Sequence, residues 1–342
     1  PDFESVVPLH VTAGEVESRI ARLTEDQLRL IDAVEANDRV ICSGGAGTGK
    51  TMLGLELAKR WTAAGMTVAM TCHSPWLKSF LERNSLVGLT VCLSDSIHLA
   101  ARRSGIDKFD ALIVDEGQDI LNMENLSKLD LYLKDGLDKG RWCFFHDINN
   151  QSGLCGAYVP DAYEYLRSIS PTKIPLRTNC RNSLPILSRI QSALQADMGN
   201  SGVGDGPSVR ESFANDRQEA IQIIEYELET LTEKEGFVYG DIVMLSHLPF
   251  SDSLVSSLSQ RWQKVISILD GASPLNSTRQ SIGFAQIPDF KGLESEAIVL
   301  IDLPTPGPSA DWRSLHYVGM SRARAVLSMI SLSISNNPLQ YS

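Results

Sequence analysis

Short apolar runs punctuate this chain, each bounded by charged or turn-forming residues. In the first half they read "RVICSG" (39–44), "MTVAMTCHS" (66–74), "LTVCLSD" (89–95), "DALIVDE" (110–116) and "RWCFFHD" (141–147). In the second half they read "DIVMLSH" (241–247), "KVISIL" (264–269), "SIGFAQI" (281–287), "EAIVLID" (296–302) and "AVLSMISLSIS" (325–335). Helical patterns fill the spaces between them. Strands that alternate with helices predict parallel sheets covered on both faces, and so an α/β fold. Over residues 216–241, Ile221, Ile224, Leu228 and Leu231 recur at helical spacing, which predicts a helix with one packed face and one solvated acidic face. "MGNSGVGDGPS" (198–208) is the most linker-like stretch, and the boundary between two domains is expected earlier, near 170–175, where "SISPTKIPL" enters a new strand.

Composition agrees with two domains. The 342 residues are 43% hydrophobic and 21% charged, enough for two separate cores. The formal charge of −11 argues against a protein that coats nucleic acid by bulk electrostatics, so any bound strand must lie in a local groove. No run of eighteen apolar residues and no signal-like N-terminus is present, and the chain reads as cytoplasmic, without a membrane partner. Cys42, Cys72, Cys92, Cys143, Cys155 and Cys180 are scattered without a CxxC pair, which favours buried reduced thiols. Cys143 and His146 have a ligand-like gap, but no second pair accompanies them. The first residue is Pro1, as in a processed product or a piece of something longer.

Candidate chemistry begins at "GGAGTGKT", Gly44, Gly45, Ala46, Gly47, Thr48, Gly49, Lys50 and Thr51. The stretch fits GxxxxGK[ST], follows an apolar strand and precedes a helix former, which is the context a phosphate-binding loop needs. Glycines let successive N–H groups turn toward a phosphate, and the helix N-terminus adds partial positive charge. Lys50 is placed to reach β and γ phosphates and Thr51 to complete a Mg²⁺ shell. A glycine-rich structural turn is the alternative.

"ALIVDEGQDI" (111–120) ends an apolar strand on two adjacent acids. In P-loop proteins an acid at the end of a neighbouring strand binds Mg²⁺, and Asp115 occupies that place. Glu116 can then take a proton from water attacking a γ-phosphate, which a kinase would not need. The alternative is an ordinary pair of solvated acids, opposed only by the strand context.

With Asp-Glu-x-Gln-Asp in place, the chain resembles the superfamily 1 helicases of the UvrD/Rep-like type, over residues 23 to about 330. "LTEDQ" is similar to the Q motif, with Gln27 toward adenine. "RTNCRNS" is similar to the motif supplying a γ-phosphate arginine, here Arg181. "DFKGLESEAIVLID" matches the Lys-Gly-Leu-Glu motif, which by resemblance puts Gly292 and Glu294 near sugar and phosphates. "LHYVGMSRAR" matches the motif whose first arginine, here Arg322, is the arginine finger. The resemblance implies two RecA-like P-loop domains with parallel sheets and the nucleotide in the inter-domain cleft. It divides the chain into a lead-in (1–22), a first domain (23–172) and a second (173–342), with Arg181, Glu294 and Arg322 approaching from the second. ATP and Mg²⁺ are the implied cofactors.

Two departures stand out. Cys180 replaces the family's adenine-stacking aromatic, which loosens base selectivity and leaves GTP open. In "HDINNQS" the sensor glutamine is shifted, and Gln151 is preferred as the γ-phosphate sensor. About 110 residues separate Arg181 from Lys291, little more than a second domain needs, so the chain reads as a trimmed motor.

A single-stranded nucleic acid groove needs aromatic platforms and basic residues. "TCHSPWLKSF" offers His73, Trp76 and Lys78, "SIHLAARR" offers His98, Arg102 and Arg103, and "WRSLHY" offers Trp312 and Arg313. Each is equally readable as core or surface. The leading expectation is an ATP-driven translocase on single-stranded nucleic acid, by resemblance DNA and 3′ to 5′. The runner-up is a nucleotide-gated switch acting on a partner or fused nuclease, because the lead-in resembles chains whose helicase core follows a nuclease-related domain in repair or phage defence. A small-molecule kinase is a remote third.

Overall fold

A computed structural model describes residues 30–85, 87–147, 159–270, 280–303 and 310–332. Gln27, Gln151, Cys155 and the lead-in 1–22 lie outside the described residues. By its internal contacts the chain forms two compact units. Among the described residues, one holds the chain up to Arg181 together with Ala196–Gly202, and the other holds Asn182–Gln195 and the chain from Val203 onward.

The P-loop unit is built on a six-stranded sheet. Its strands are β1 (Arg39–Ser43), β2 (Val68–Cys72), β3 (Leu89–Leu93), β4 (Ala111–Val114), β5 (Arg141–His146) and β6 (Thr172–Pro175). They run in the order β3-β2-β4-β5-β1-β6, and every pairing is parallel. β2 and β4 are buried along their whole length, because helices cover both faces. Strand alternation sorts the side chains into two cores. Val40, Cys42, Met70, Ile113, Cys143 and Phe145 meet Leu53, Leu57 and Trp61 of the helix Lys50–Ala63 on one face. Ile41, Ala69, Leu112, Val114, Trp142 and Phe144 meet the helices Met123–Tyr132 and Pro160–Ser168 on the other. The same alternation sends Cys143 and His146, three positions apart, to opposite faces of β5. All five described cysteines are buried thiols.

β6 pairs with β1, Val40 opposite Thr172, so "SISPTKIPL" completes the first sheet rather than opening the second. The linker-like stretch is not a linker either. Within it β8 (Asn200–Ser201) pairs with β7 (Thr178–Asn179), and Asn200 N–H donates to the Arg177 carbonyl at 2.7 Å. Gly199 makes this close approach possible: its φ is +76°, and a Cβ there would lie 2.2 Å from that carbonyl oxygen.

The other unit carries a second parallel sheet. Its strands are β9 (Arg210–Ala214), β10 (Ile242–Ser246), β11 (Ile266–Ile268), β12 (Ile282–Gln286), β13 (Ser295–Leu300) and β14 (Ala323–Leu332), in the order β11-β12-β10-β13-β14-β9. The predicted acidic helix forms over Arg217–Glu229, with Ile224 and Leu228 buried. Its acidic face is not wholly solvated. Glu227 is buried, accepts from Ser328 Oγ at 2.5 Å and pairs with Arg210 at 2.9 Å, which ties the helix to the edge strand β9 and to its neighbour β14. Among the described residues, no helix is long and apolar enough to cross a membrane.

Trp142 is fully buried, and its indole N–H donates to the Leu137 carbonyl at 2.8 Å. Trp142→Ala is expected to cost about 3–5 kcal/mol in urea unfolding, whereas Leu131→Ala should stay within about 0.5 kcal/mol; Leu131 is 60% exposed. Equal losses would show that this core does not carry the sheet.

Candidate active site

Parallel sheets bind ligands beyond the carboxyl ends of their strands, where loops from different strands converge. In the P-loop unit three such ends meet. β1 leads into Gly44–Gly49, β4 into Asp115 and Glu116, and β5 into His146 and Asp147. The acid strand is not the immediate neighbour of β1 that the sequence reading assumed, because β5 lies between them. That insertion brings a third strand end into the site.

The loop has the form of a phosphate cradle. Gly47 and Gly49 sit at φ +79° and +83°, conformations that L side chains rarely adopt. A Cβ on Gly44 would stand 2.6 Å from Thr48 Oγ1, and one on Gly47 would stand 2.8 Å from Asn179 Nδ2. Gly49 caps the helix Lys50–Ala63 without a side-chain acceptor, so this helix start offers main-chain donors to an anion. Lys50 is buried, and its ammonium donates to the carbonyls of Gly44 and Gly45, each at 2.9 Å, which holds the positive charge inside the loop.

The two acids differ in their supports. Asp115 is fully buried; its Oδ2 accepts from the Thr51 hydroxyl at 2.7 Å and its Oδ1 from the Glu116 N–H at 3.0 Å. Burial, and then the adjacent Glu116, push its pKa up to about 6. Glu116 has φ +52°, a left-handed backbone for a non-glycine residue, of the kind that costs about 1–3 kcal/mol and concentrates at working sites.

Gln118 holds this arrangement together. Its Nε2 donates to Glu116 Oε2, while its Oε1 accepts the Asp147 N–H at 2.9 Å, so one buried amide joins the β4 end to the β5 end. His146 closes the floor. Its carbonyl accepts from Gly44 N–H at 3.2 Å, and Tyr163 Oη lies 3.4 Å from its Nε2. Burial, and then the nearby Lys50 charge, lower its pKa to about 4, so the ring is neutral at physiological pH. The sequence marked Gln118 as the fourth residue of Asp-Glu-x-Gln-Asp but gave it no role. His146 drew attention only as a possible ligand beside Cys143.

Arg181 belongs to the P-loop unit and not, as expected, to the other one. A Cβ on Gly47 would be 3.0 Å from Arg181 Cβ. The cause lies in its neighbours: Cys180 N–H and Sγ both donate to the Gly47 carbonyl, at 2.9 and 3.2 Å, and Asn179 Nδ2 donates to the Ala46 carbonyl at 2.9 Å. Cys180 is therefore buried against the loop.

In the other unit, Gly292, Glu294 and Arg322 gather at the amino ends of β13 and β14, where Ser295 N–H donates to the Arg322 carbonyl at 3.1 Å. Gly292 has φ +86°, and Glu294 lies 3.7 Å from Arg324. The Arg322 side chain is buried, donating to the carbonyls of Val318 (2.9 Å) and Leu293 (3.3 Å) and to Ser321 Oγ (2.9 Å).

The candidate strand-binding residues are dispersed. His73, His98 and Arg102 are exposed, Trp76 is half-buried, and Lys78 pairs with Glu82 at 2.6 Å. His73 and Trp76 follow the carboxyl end of β2, and His98 follows that of β3. His98 and Arg102, four apart, share one face of the helix Ile97–Ser104. Trp312 stacks on His316 within its own helix, with ring centroids 4.3 Å apart. Among the described residues no cluster of three or more His, Cys, Asp or Glu side chains forms a ready-made metal cage.

No protein-family model matches this sequence, and no curated protein sequence matches it. Among solved structures it is similar to an arterivirus nonstructural protein 10, a helicase, in complex with DNA: 14% identity and a TM-score of 0.46, covering 88% of this chain and 61% of that one. A second structure of an arterivirus nonstructural protein 10 helicase matches at 13% identity and a TM-score of 0.44, covering 91% of this chain and 62% of that one. A PRRSV helicase matches at 15% identity and a TM-score of 0.46, covering 90% and 55%. This chain thus spans 55% to 62% of the length of those proteins. The likeness concerns the course of the chain, and the reading of the site rests on its side chains.

Asp115 carries a pH signature. Its folded pKa is about 6 against an ordinary 3.8, so its contribution to stability is complete below 3.8 and is lost as pH rises through about 6. Asp115→Asn should therefore raise the melting temperature of the nucleotide-free protein by about 2–4 °C at neutral pH and change little near pH 4. A neutral-pH melting point that falls on substitution would refute the assignment of Asp115 as a destabilising buried charge.

Proposed function

We propose that the chain is a Mg²⁺-dependent nucleoside triphosphatase whose hydrolysis drives movement on single-stranded nucleic acid. The observation that carries this reading is the convergence at one sheet edge of Lys50, the Thr51–Asp115 pair, and Glu116 braced by Gln118. Main-chain N–H groups of Gly47 to Thr51 would bind the β-phosphate, and the Lys50 ammonium would exchange its two carbonyl partners for phosphate oxygens. Thr51 and Asp115 would hold the metal; when bound, Mg²⁺ neutralises phosphate charge. It would also supply the counter-charge that buried Asp115 needs.

Glu116 is the general base of this scheme. Gln118 orients the carboxylate, so one acid can accept a proton from water while the other serves the metal. This division of labour favours hydrolysis over phosphoryl transfer to a second substrate. Arg322 is proposed as the cation recruited as charge develops on the terminal phosphate. The UvrD/Rep-like motif order supports ATP as the nucleotide and DNA as the track. The exposed His98–Arg102 face supports a local groove in a chain of net charge −11. The same charge balance favours, as a second reading, a nucleotide-gated switch on a partner or fused nuclease.

Steady-state hydrolysis with and without single-stranded DNA or RNA tests both readings. Lys50→Ala and Glu116→Gln should each lower kcat by at least about a hundredfold, the usual scale for loss of a base or a charge-stabilising group. Arg322→Ala should lower kcat far more than nucleotide affinity. Hydrolysis surviving Lys50→Ala would overturn the site, and a rate indifferent to every polynucleotide would select the switch.

A further inference from the structure

Two buried asparagines bracket the point where the chain leaves the P-loop unit, between Arg181 and Asn182. Asn179 and Asn182 are both fully buried. On one side, Asn179 Nδ2 donates to the Ala46 carbonyl at 2.9 Å, and its Oδ1 accepts the Arg181 N–H at 3.1 Å. Cys180 N–H adds a bond to the Gly47 carbonyl at 2.9 Å. On the other side, Asn182 Nδ2 donates to the carbonyls of Ser321 at 3.2 Å and Ala323 at 2.6 Å, the two residues that flank Arg322. Ser183 N–H donates to the Arg324 carbonyl at 3.2 Å and extends the same anchor.

We propose that Asn179 and Asn182 are positioning residues joining the P-loop main chain to the main chain that carries Arg322, so that occupancy of the loop is transmitted along the segment Asn179–Asn182. The inference rests on the nucleotide reading above and adds a route to it. Both amides bond to main-chain carbonyls, so each fixes a backbone position rather than a mobile side chain. Three peptide units separate them, each planar and stiff, with only two soft dihedrals per residue to absorb movement. Losing either donor would remove a hydrogen bond from buried carbonyl oxygens, so neither anchor slips without cost. Arg181 sits within the segment and is dragged with it. An ionised carboxylate at 179 or 182 would face carbonyl oxygens with no hydrogen to give.

The test uses amide hydrogen exchange on the whole chain, with and without Mg²⁺ and a non-hydrolysable ATP analogue, alongside steady-state kinetics. In the wild type the nucleotide should slow exchange in two segments, 44–51 and 320–324. Asn182→Ala should keep the first effect and lose the second, while kcat falls by about tenfold with KM unchanged, within the usual range for substitutions along a coupling route. If Asn182→Ala does not fold, Asn179→Ala puts the same question from the other end, with slowed exchange at 44–51 but not at 320–324. Slowing at 320–324 that persists in a folded variant would overturn the proposal, because Arg322 would then sense nucleotide without the tether. Absence of slowing at 44–51 in the wild type would overturn the nucleotide reading itself, and the tether with it.

Discussion

A carboxylate with no access to water dominates this molecule. Asp115 is fully buried at the end of a central strand, one residue from a second acid, with a hydroxyl and an N–H as its hydrogen-bond partners. Isolated charges in such places are expensive, and proteins keep them where a bound cation repays the cost. The surrounding architecture answers that problem. The P-loop helix supplies Thr51, and the residue after β5, Asp147, donates its N–H to Gln118, whose amide braces Glu116. The sheet order matters because it inserts β5 between the loop strand and the acid strand. Without it, Gln118 would have no partner on a third strand.

Charge is handled differently in the other unit. Arg322 is equally buried, and its guanidinium donates to two carbonyls and to the Ser321 hydroxyl. Arg324, two residues on, is paired with Glu296 at 2.8 Å.

Much of this was legible in the sequence, for a physical reason. The ten apolar runs became β1 to β5 and β10 to β14, since strands covered on both faces leave a continuous apolar signature. β9 was missed because "RESFA" is an edge strand with exposed alternate positions, defined by pairing with β14 rather than by its own composition. The phosphate loop was readable because its chemistry is local, eight residues with glycines where φ must be positive. Gln118, His146, Asn179 and Asn182 were not, because the partners that tie them to other elements lie 17 to 141 residues away. Glu227 was read as solvated for the same reason, its two partners coming from other strands of the sheet.

The short ribbon of β7 and β8 has a consequence for how this chain can be divided. Because Ala196–Gly202 returns to the P-loop unit after Asn182–Gln195 has left it, the polypeptide passes between the two units at 181, at 195 and again at 202. No single scission yields two intact halves: a cut after Arg181 strips the ribbon of its second strand, and a cut after Gly202 leaves the helix Leu184–Leu194 with the wrong fragment. Each unit is thus assembled from more than one stretch of the chain, and its boundary in space is not a boundary in sequence.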